Sequence, residues 1–288
     1  MKLALGTAQF GFNYGLSNKQ GQVSEFEARA ILAQARAGGM DTLDTAIDYG
    51  TSEQRLGEMG VKDWRIVSKL PGYPDHCPDI SRWVTDSVTD SLKRLKIKRL
   101  YGLLLHRPRQ LLQPNGDLLY KAILHLKNDG LVAKVGISIY DPDELDAICP
   151  QYHLDLVQAP FNILDRRLID SGWLTRLSGQ GTELHVRSVF LQGLLLMKAD
   201  QRPDKFRPWQ MLWQRWDAGL AERSLSPLNV CLAYALSFPE ISRVVVGMDN
   251  SQQLSAILNT SQPVALDWLR DLRIADPDLL NPSRWSRL

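Results

Sequence analysis

The chain has 288 residues, 44% of them hydrophobic and 23% charged, with 34 basic against 32 acidic side chains and a net charge of +2. That is an ordinary globular balance, and the mixed charges leave no basic face or stripe of the kind a nucleic-acid binder shows. No apolar run approaches the ~18 residues of a membrane span, and the opening Met-Lys-Leu-Ala-Leu-Gly lacks a signal-peptide core. Cys77, Cys149 and Cys231 are far apart and odd in number, so free thiols in a reducing cytoplasm are expected rather than disulfides. His76, His125, His153 and His185 show no metal-ligand spacing, so they read as structural or surface residues and no metal is expected.

In chain order, short apolar runs alternate with longer helix-like segments. Lys2–Gly6 reads as a first strand. Ser24, with Glu27 three positions on, has the form of a capping box. The helix it opens carries Ala28, Ile31, Leu32 and Ala35 at helical spacing and stops near Gly38-Gly39. Asp41–Asp44 is a second strand, followed by a helix over Ser52–Met59. Arg65–Lys69 is a third strand, followed by a long helix over Asp79–Leu95. The fourth strand, Tyr101–Leu105, ends at His106, and a helix follows over Asp117–Lys127. Leu131–Ile137 is the fifth strand, after which Asp141-Pro142 opens a helix with a cap and an N1 proline. Leu154–Val157, Glu183–Arg187 and Ser242–Val246 complete eight strands. Ser226-Pro227 opens the helix before the last of them, and Ser251 caps the helix after it.

Eight strands that read as apolar runs, each followed by a helix, predict one (β/α)8 TIM barrel, an α/β fold occupying residues 1–288 as a single domain. The longest interruption, Met197–Arg223, carries Trp209, Trp213 and Trp216. It predicts a loop plus an extra helix over the mouth, with its tryptophans in packing roles.

In parallel α/β proteins chemistry gathers outside the carboxyl ends of the strands. Asp44 ends the second strand here, with Tyr49 on the loop beyond it. Lys69 ends the third strand and His106 follows the fourth. Each alone reads as a structural partner; four titratable groups on consecutive strands read as a site. Phe10-Gly-Phe-Asn-Tyr14 and Asp48 are candidates for the pocket wall. Gly6 and Gly11 fit close backbone approach, but Gly6-Thr-Ala-Gln-Phe-Gly11 is not a dinucleotide-binding GxGxxG.

The pattern resembles the aldo-keto reductase family over nearly the whole chain. It is carried by Gly6-Thr-Ala, Asp44-Thr-Ala-x-x-Tyr49-Gly-x-Ser-Glu53, Ser68-Lys69, Leu103-Leu-Leu-His106, Gly136-Ile-Ser138 and Val157-Gln158-Ala-Pro-Phe-Asn162. Further on come Arg187-Ser188, Gln192-Gly193-Leu-Leu and Val246-Gly247. The resemblance implies hydride transfer between a nicotinamide cofactor and a carbonyl. It implies Tyr49 as the general acid, Lys69 lowering its pKa, Asp44 positioning Lys69, and His106 orienting the carbonyl.

By the same resemblance the cofactor lies against Gly6, Thr7, Ser138, Gln158, Arg187, Ser188, Gln192, Gly247, Ser251 and Gln253. Ser138 and Gln158 would bond the nicotinamide amide. Many members have Asn after that serine; this chain has Ile139. Many stack an aromatic where Arg187 stands, and a guanidinium plane can stack in its place. The family favours NADP(H). Against that, the segment Gly247–Gln253 has no Lys or Arg for a 2′-phosphate and carries Asp249, which keeps NAD(H) open. Implied partners are a small-molecule carbonyl substrate, no nucleic acid and no membrane, with a protein partner left open. The altered residues Ile139, Arg187 and Asp249 also leave a second class open: an NAD(P)H-binding regulatory or interaction protein on the same fold, with weak or no catalysis.

Overall fold

A computed structural model describes residues 1–260 and 264–287. Its elements run β1 (Leu3–Gly6), α1 (Ala8–Gly11), α2 (Glu25–Ala37), β2 (Thr42–Asp44), α3 (Ser52–Met59), β3 (Arg65–Leu70), α4 (Ile80–Leu95) and β4 (Leu100–Leu105). They continue with α5 (Gly116–Asn128), β5 (Val132–Ser138), α6 (Asp143–Ile148), β6 (Leu156–Pro160), α7 (Arg167–Asp170), α8 (Trp173–Gly179) and β7 (Glu183–Arg187). After these come α9 (Gln210–Glu222), α10 (Pro227–Leu236), β8 (Arg243–Val246), α11 (Ser251–Leu258) and α12 (Pro277–Leu280). The strands pair in sequence order, all parallel, and β8 closes on β1.

The helices form because their apolar residues fall on one face. In α4, Ile80, Val84, Val88, Leu92 and Leu95 are buried, and the Asp79 side chain caps the first turn by accepting the Arg82 N–H at 2.9 Å. Each buried aliphatic chain contributes about 2 kcal/mol. Replacing the fully buried Val88 by Asp would put a charge into that seam.

Two expected boundaries shift for local reasons. β6 begins at Leu156 rather than Leu154. The carboxylate of Asp155 is held outside the strand by the Val135 N–H at 2.9 Å and by Lys127 Nζ at 2.6 and 2.7 Å. The cap of α11 is Asn250, not Ser251: Asn250 Oδ1 accepts the Gln253 N–H at 2.9 Å, and Ser251 is the first helical residue. The capping box at α2 closes only halfway. Ser24 Oγ accepts the Glu27 N–H at 3.2 Å, while the Glu27 carboxylate reaches across to the N–H of Ser251.

The interruption before α10 does hold an extra helix, α9. It packs against the C-terminal segment rather than over the mouth, and none of its residues lines the cavity described below. Trp216 is fully buried and stacks on Trp268 at 5.7 Å between centroids, while Trp213 Nε1 donates to the Phe206 carbonyl at 3.0 Å. These tryptophans pack, as expected. Among the described residues no helix is long and apolar enough to cross a membrane.

Candidate active site

The alternation of side chains along a strand sorts the barrel interior. Arg65, Val67 and Lys69 share one face of β3, and Glu183, His185 and Arg187 share one face of β7. Val67, Leu104 and Leu156 make an apolar plug separate from the main core. On the carboxyl side of that plug sit Lys69, Asp44, Gln158, Ser138 and Arg187.

Lys69 is 1% exposed, and its ammonium donates to Asp44 Oδ1 at 2.7 Å and to the Thr45 carbonyl at 2.9 Å. The other oxygen of Asp44 accepts from Gln158 Nε2 at 2.6 Å. The carboxylate is thus fixed from two sides. Its strand end is fixed as well, because Thr7 donates both its N–H and its hydroxyl to the Asp44 carbonyl, each at 2.9 Å. Ser52 Oγ, buried between Thr7 and Thr45, ties the start of α3 to the same spot at 3.0 and 3.1 Å. Glu53 is structural: it accepts from Ser68, Ser91 and, in a two-pronged contact, from Arg94.

Tyr49 is carried by the turn between β2 and α3. A Cβ at Gly11 would lie 1.7 Å from the Tyr49 carbonyl oxygen, and one at Gly50 would lie 2.6 Å from that of Gly11. Only glycines let the two backbones touch, and Gly50 also holds φ at +52°. The phenol ring is then framed by Phe12 and His106, with centroids at 5.9 and 6.0 Å, and by Lys69 Nζ at 4.9 Å. Asp44, Lys69 and His106, expected at strand ends, and Tyr49, expected on the loop after the second, are therefore one cluster.

The electrostatics correct one expectation. The net effect on Tyr49 is a raised pKa, not a lowered one. Burial is the main cause, the Asp44 carboxylate adds to it, and Arg187 draws it back. An ammonium 5 Å away is worth on the order of 3 kcal/mol in a protein interior, but Lys69 is paired with Asp44, whose charge cancels most of it. Burial also pulls the Lys69 ammonium below its ordinary value, and Asp44 opposes that. Burial lowers His106 to about 4, with Lys69 and Arg187 adding to the shift, so its imidazole is neutral near pH 7.

A cavity of about 260 Å³ opens from this cluster. It begins at Asp44, Tyr49 and Arg187, passes Gly6, Thr7, Ser188 and Gln192, and ends at Gly247, Met248, Asp249 and Gln253. Leu228 of α10 and Ala256 and Ile257 of α11 also line it, so it runs outward from the barrel axis into the helical ring. Tyr14 lines it, whereas Phe10 is buried in the core.

The residues expected at a cofactor divide into two groups. Gly6, Thr7, Arg187, Ser188, Gln192, Gly247 and Gln253 line the cavity. Ser138 and Gln158 lie beneath it, bonded to each other at 3.4 Å. Ser251 is off the wall, with its N–H taken by Glu27. Arg187 lies over the Tyr140 ring at 4.6 Å and donates to the Ile139 carbonyl at 2.9 Å. Ile139 itself is fully buried in the core.

The loop after β7 is held in an unusual conformation. Ser188, Leu191 and Gln192 all have positive φ, between 47° and 62°. Such residues cost of order 1–3 kcal/mol each and persist where the surroundings impose them. Asn162 imposes one by donating to the Ser188 carbonyl at 3.1 Å, and the Leu16 N–H donates to the Gln192 carbonyl at 3.1 Å. The loop after β1 thus meets the loop after β7 across the cavity. A cavity lined from Asp44 and Tyr49 to Asp249 and Gln253, with a buried acid–base cluster at one end, is a candidate ligand site. Among the described residues no cluster of His, Cys, Asp or Glu is placed to hold a metal ion.

The model of the Aldo/keto reductase family matches residues 2–267. The uncharacterized oxidoreductase YqkF of Bacillus subtilis is 24% identical over 275 residues, 88% of each chain. The holo form of aldo-keto reductase AKR11C1 from Bacillus halodurans superposes with a TM-score of 0.76 at 21% identity, covering 98% of this chain and 95% of that one. PA4992, a putative aldo-keto reductase from Pseudomonas aeruginosa, gives a TM-score of 0.65 at 22% identity, covering 90% and 88%.

Proposed function

The chain belongs to the aldo/keto reductase family, and we propose that it reduces an aldehyde or ketone to the alcohol with NAD(P)H. The observation that carries this reading is the Asp44–Lys69–Tyr49–His106 cluster at the head of a channel. The hydride that reaches the carbonyl carbon is the chemistry that a nicotinamide dinucleotide supplies when bound. Gly6, Thr7, Ser188, Gln192, Gly247 and Gln253 line the channel that would hold it.

The proton is the business of this chain's own residues. Tyr49, raised by burial, stays protonated at neutral pH and is loaded as the general acid. Transfer of its proton to the carbonyl oxygen leaves a phenolate. The Lys69 ammonium over the ring face favours that form, offsetting part of what burial and the Asp44 carboxylate add. Asp44 holds Lys69 in place through the bond to Oδ1, and Gln158 holds Asp44. His106 is neutral and so can donate one N–H to the carbonyl oxygen, orienting it toward the phenol. In the reverse direction Tyr49 is the base. The scattered free thiols support a cytoplasmic setting for this reaction.

The test is oxidation of NADH and NADPH in the presence of a broad panel of aldehydes and ketones. Carbonyl-dependent oxidation is expected. Dinucleotide binding without turnover on any carbonyl would contradict the reading.

A further inference from the structure

The two ends of the channel differ in charge. At the catalytic end the lining includes Arg187 and Tyr49, with the Lys69 ammonium over the Tyr49 ring. At the outer end the lining is Gly247, Met248, Asp249, Gln253, Ala256 and Ile257. Among the described residues no Lys or Arg lines that end, and its one charge is the Asp249 carboxylate.

Three backbone N–H groups at the outer end are also spoken for, those of Asp249, Ser251 and Gln253. The Ser251 N–H, in the first turn of α11, is donated to the Glu27 carboxylate, which arrives from α2. The Gln253 N–H goes to Asn250 Oδ1 at 2.9 Å, and the Asp249 N–H goes to Gln253 Oε1 at 2.8 Å. A helix N-terminus is ordinarily a ready anion site, because its first N–H groups point outward and its dipole is positive there. Here one of those groups already holds an anion of the protein's own. The Ser251 N–H keeps the Glu27 carboxyl below its ordinary value, so it is charged at neutral pH.

With a nicotinamide reacting at Tyr49, the cavity offers the adenosine half of its dinucleotide the lining at Asp249 and Gln253. NADP(H) and NAD(H) differ there by a phosphate on the ribose 2′-oxygen. A phosphomonoester carries about −1.5 to −2 charges at pH 7. It would meet Asp249 on the lining, with the Glu27 carboxylate behind it on the Ser251 N–H and with no Lys or Arg among the described lining residues at that end. A free ribose hydroxyl is a donor, which a carboxylate such as Asp249 can accept.

We propose that this channel selects NAD(H) over NADP(H), and that Asp249 and Glu27 set the selection. The proposal rests on the reading of the channel as a nicotinamide dinucleotide site, and it reverses the preference that family resemblance suggests.

Titration of the wild type with NADH and with NADPH, followed by tryptophan fluorescence and by thermal shift at fixed ionic strength, tests it. NADH should bind at least tenfold tighter and raise the melting temperature more at equal concentration. In the Glu27→Gln, Asp249→Asn double variant the NADH advantage should fall at least fivefold. Both positions are partly exposed, so the fold should tolerate the change. Equal or tighter NADPH binding by the wild type would overturn the proposal. So would an NADH advantage that the double variant leaves untouched. Failure of both dinucleotides to bind would overturn the reading of the channel itself, a result distinct from a reversed preference.

Discussion

The inward faces of β3, β5 and β7 each carry a polar residue at both ends: Arg65 and Lys69, Lys134 and Ser138, Glu183 and Arg187. Four residues apart on a strand is about 13 Å. One barrel interior therefore holds two charge clusters, one on each side of the Val67, Leu104 and Leu156 plug, of which the amino-end one is partly open to solvent. At the amino-end cluster, Glu183 accepts from Tyr101 at 2.7 Å, from His185 Nε2 at 2.8 Å and from Lys134 Nζ. Burial alone would raise its carboxyl, but the bonds from His185, Lys134 and Tyr101 hold it well below the usual carboxylate range.

At the carboxyl-end cluster the bonding is directed differently. Asp44 is saturated by Lys69 and Gln158, while Tyr49 faces a cavity and His106 stands beside it. A charge cluster by itself does not mark a site. What separates the two clusters is a cavity, and a titratable group turned toward it.

Substitutions should separate them further. The largest expected effect is on turnover in Tyr49→Phe. Loss of the general acid should cost 10²- to 10⁴-fold in kcat. Next, Lys69→Met strands a buried Asp44 carboxylate, which should cost about 3–5 kcal/mol in a urea unfolding curve and abolish turnover as well. At the other end Glu183→Gln should cost less, about 1–2 kcal/mol by the same measurement, because water can reach the Lys134 ammonium that loses its partner. It should leave KM and dinucleotide affinity unchanged.

A pH series sharpens the contrast. His106 has a folded pKa of about 4, against 6.5 for the ordinary residue. Between those values the unfolded chain binds the proton and the folded chain does not. Its contribution is therefore fully present above about pH 6.5 and is lost as pH falls toward about 4, a change of about 2–3 kcal/mol. His106→Gln should flatten that part of the stability profile. Glu183 loses its contribution only at pH values below the ordinary carboxylate range, where its depressed carboxyl is finally protonated. The smallest effect is expected from Arg187→Met. Removing a cation that draws Tyr49 down should slow alcohol oxidation a few-fold more than carbonyl reduction.

Much of this was readable beforehand, for a physical reason. Parallel strands buried on both faces stand out as apolar runs, and a polar residue closing such a run must point at the mouth or into the core. Asp44, Lys69 and His106 were found in that way, and Tyr49 by its place on the next loop. Pairings across the fold leave no such trace. Glu27 and Ser251 are 224 residues apart, and nothing local tells Glu27 to leave the capping box it looks made for. Gln158 was expected at the cofactor, yet its amide is spent on Asp44. The pKa of Tyr49 is not legible either, because the burial and the carboxylate that come with the lysine outweigh it. The place of α9 could not be read either, since its tryptophans look alike whether they cover a mouth or a C-terminal segment.

The most direct single measurement is carbonyl-dependent NADH and NADPH oxidation by Tyr49→Phe and Glu183→Gln, with dinucleotide binding followed on the same preparations. The expected result is full binding by both folded variants, with turnover lost in Tyr49→Phe and kept in Glu183→Gln. Turnover in Tyr49→Phe within a few-fold of the wild type would contradict the assignment of the carboxyl-end cluster as the catalytic one.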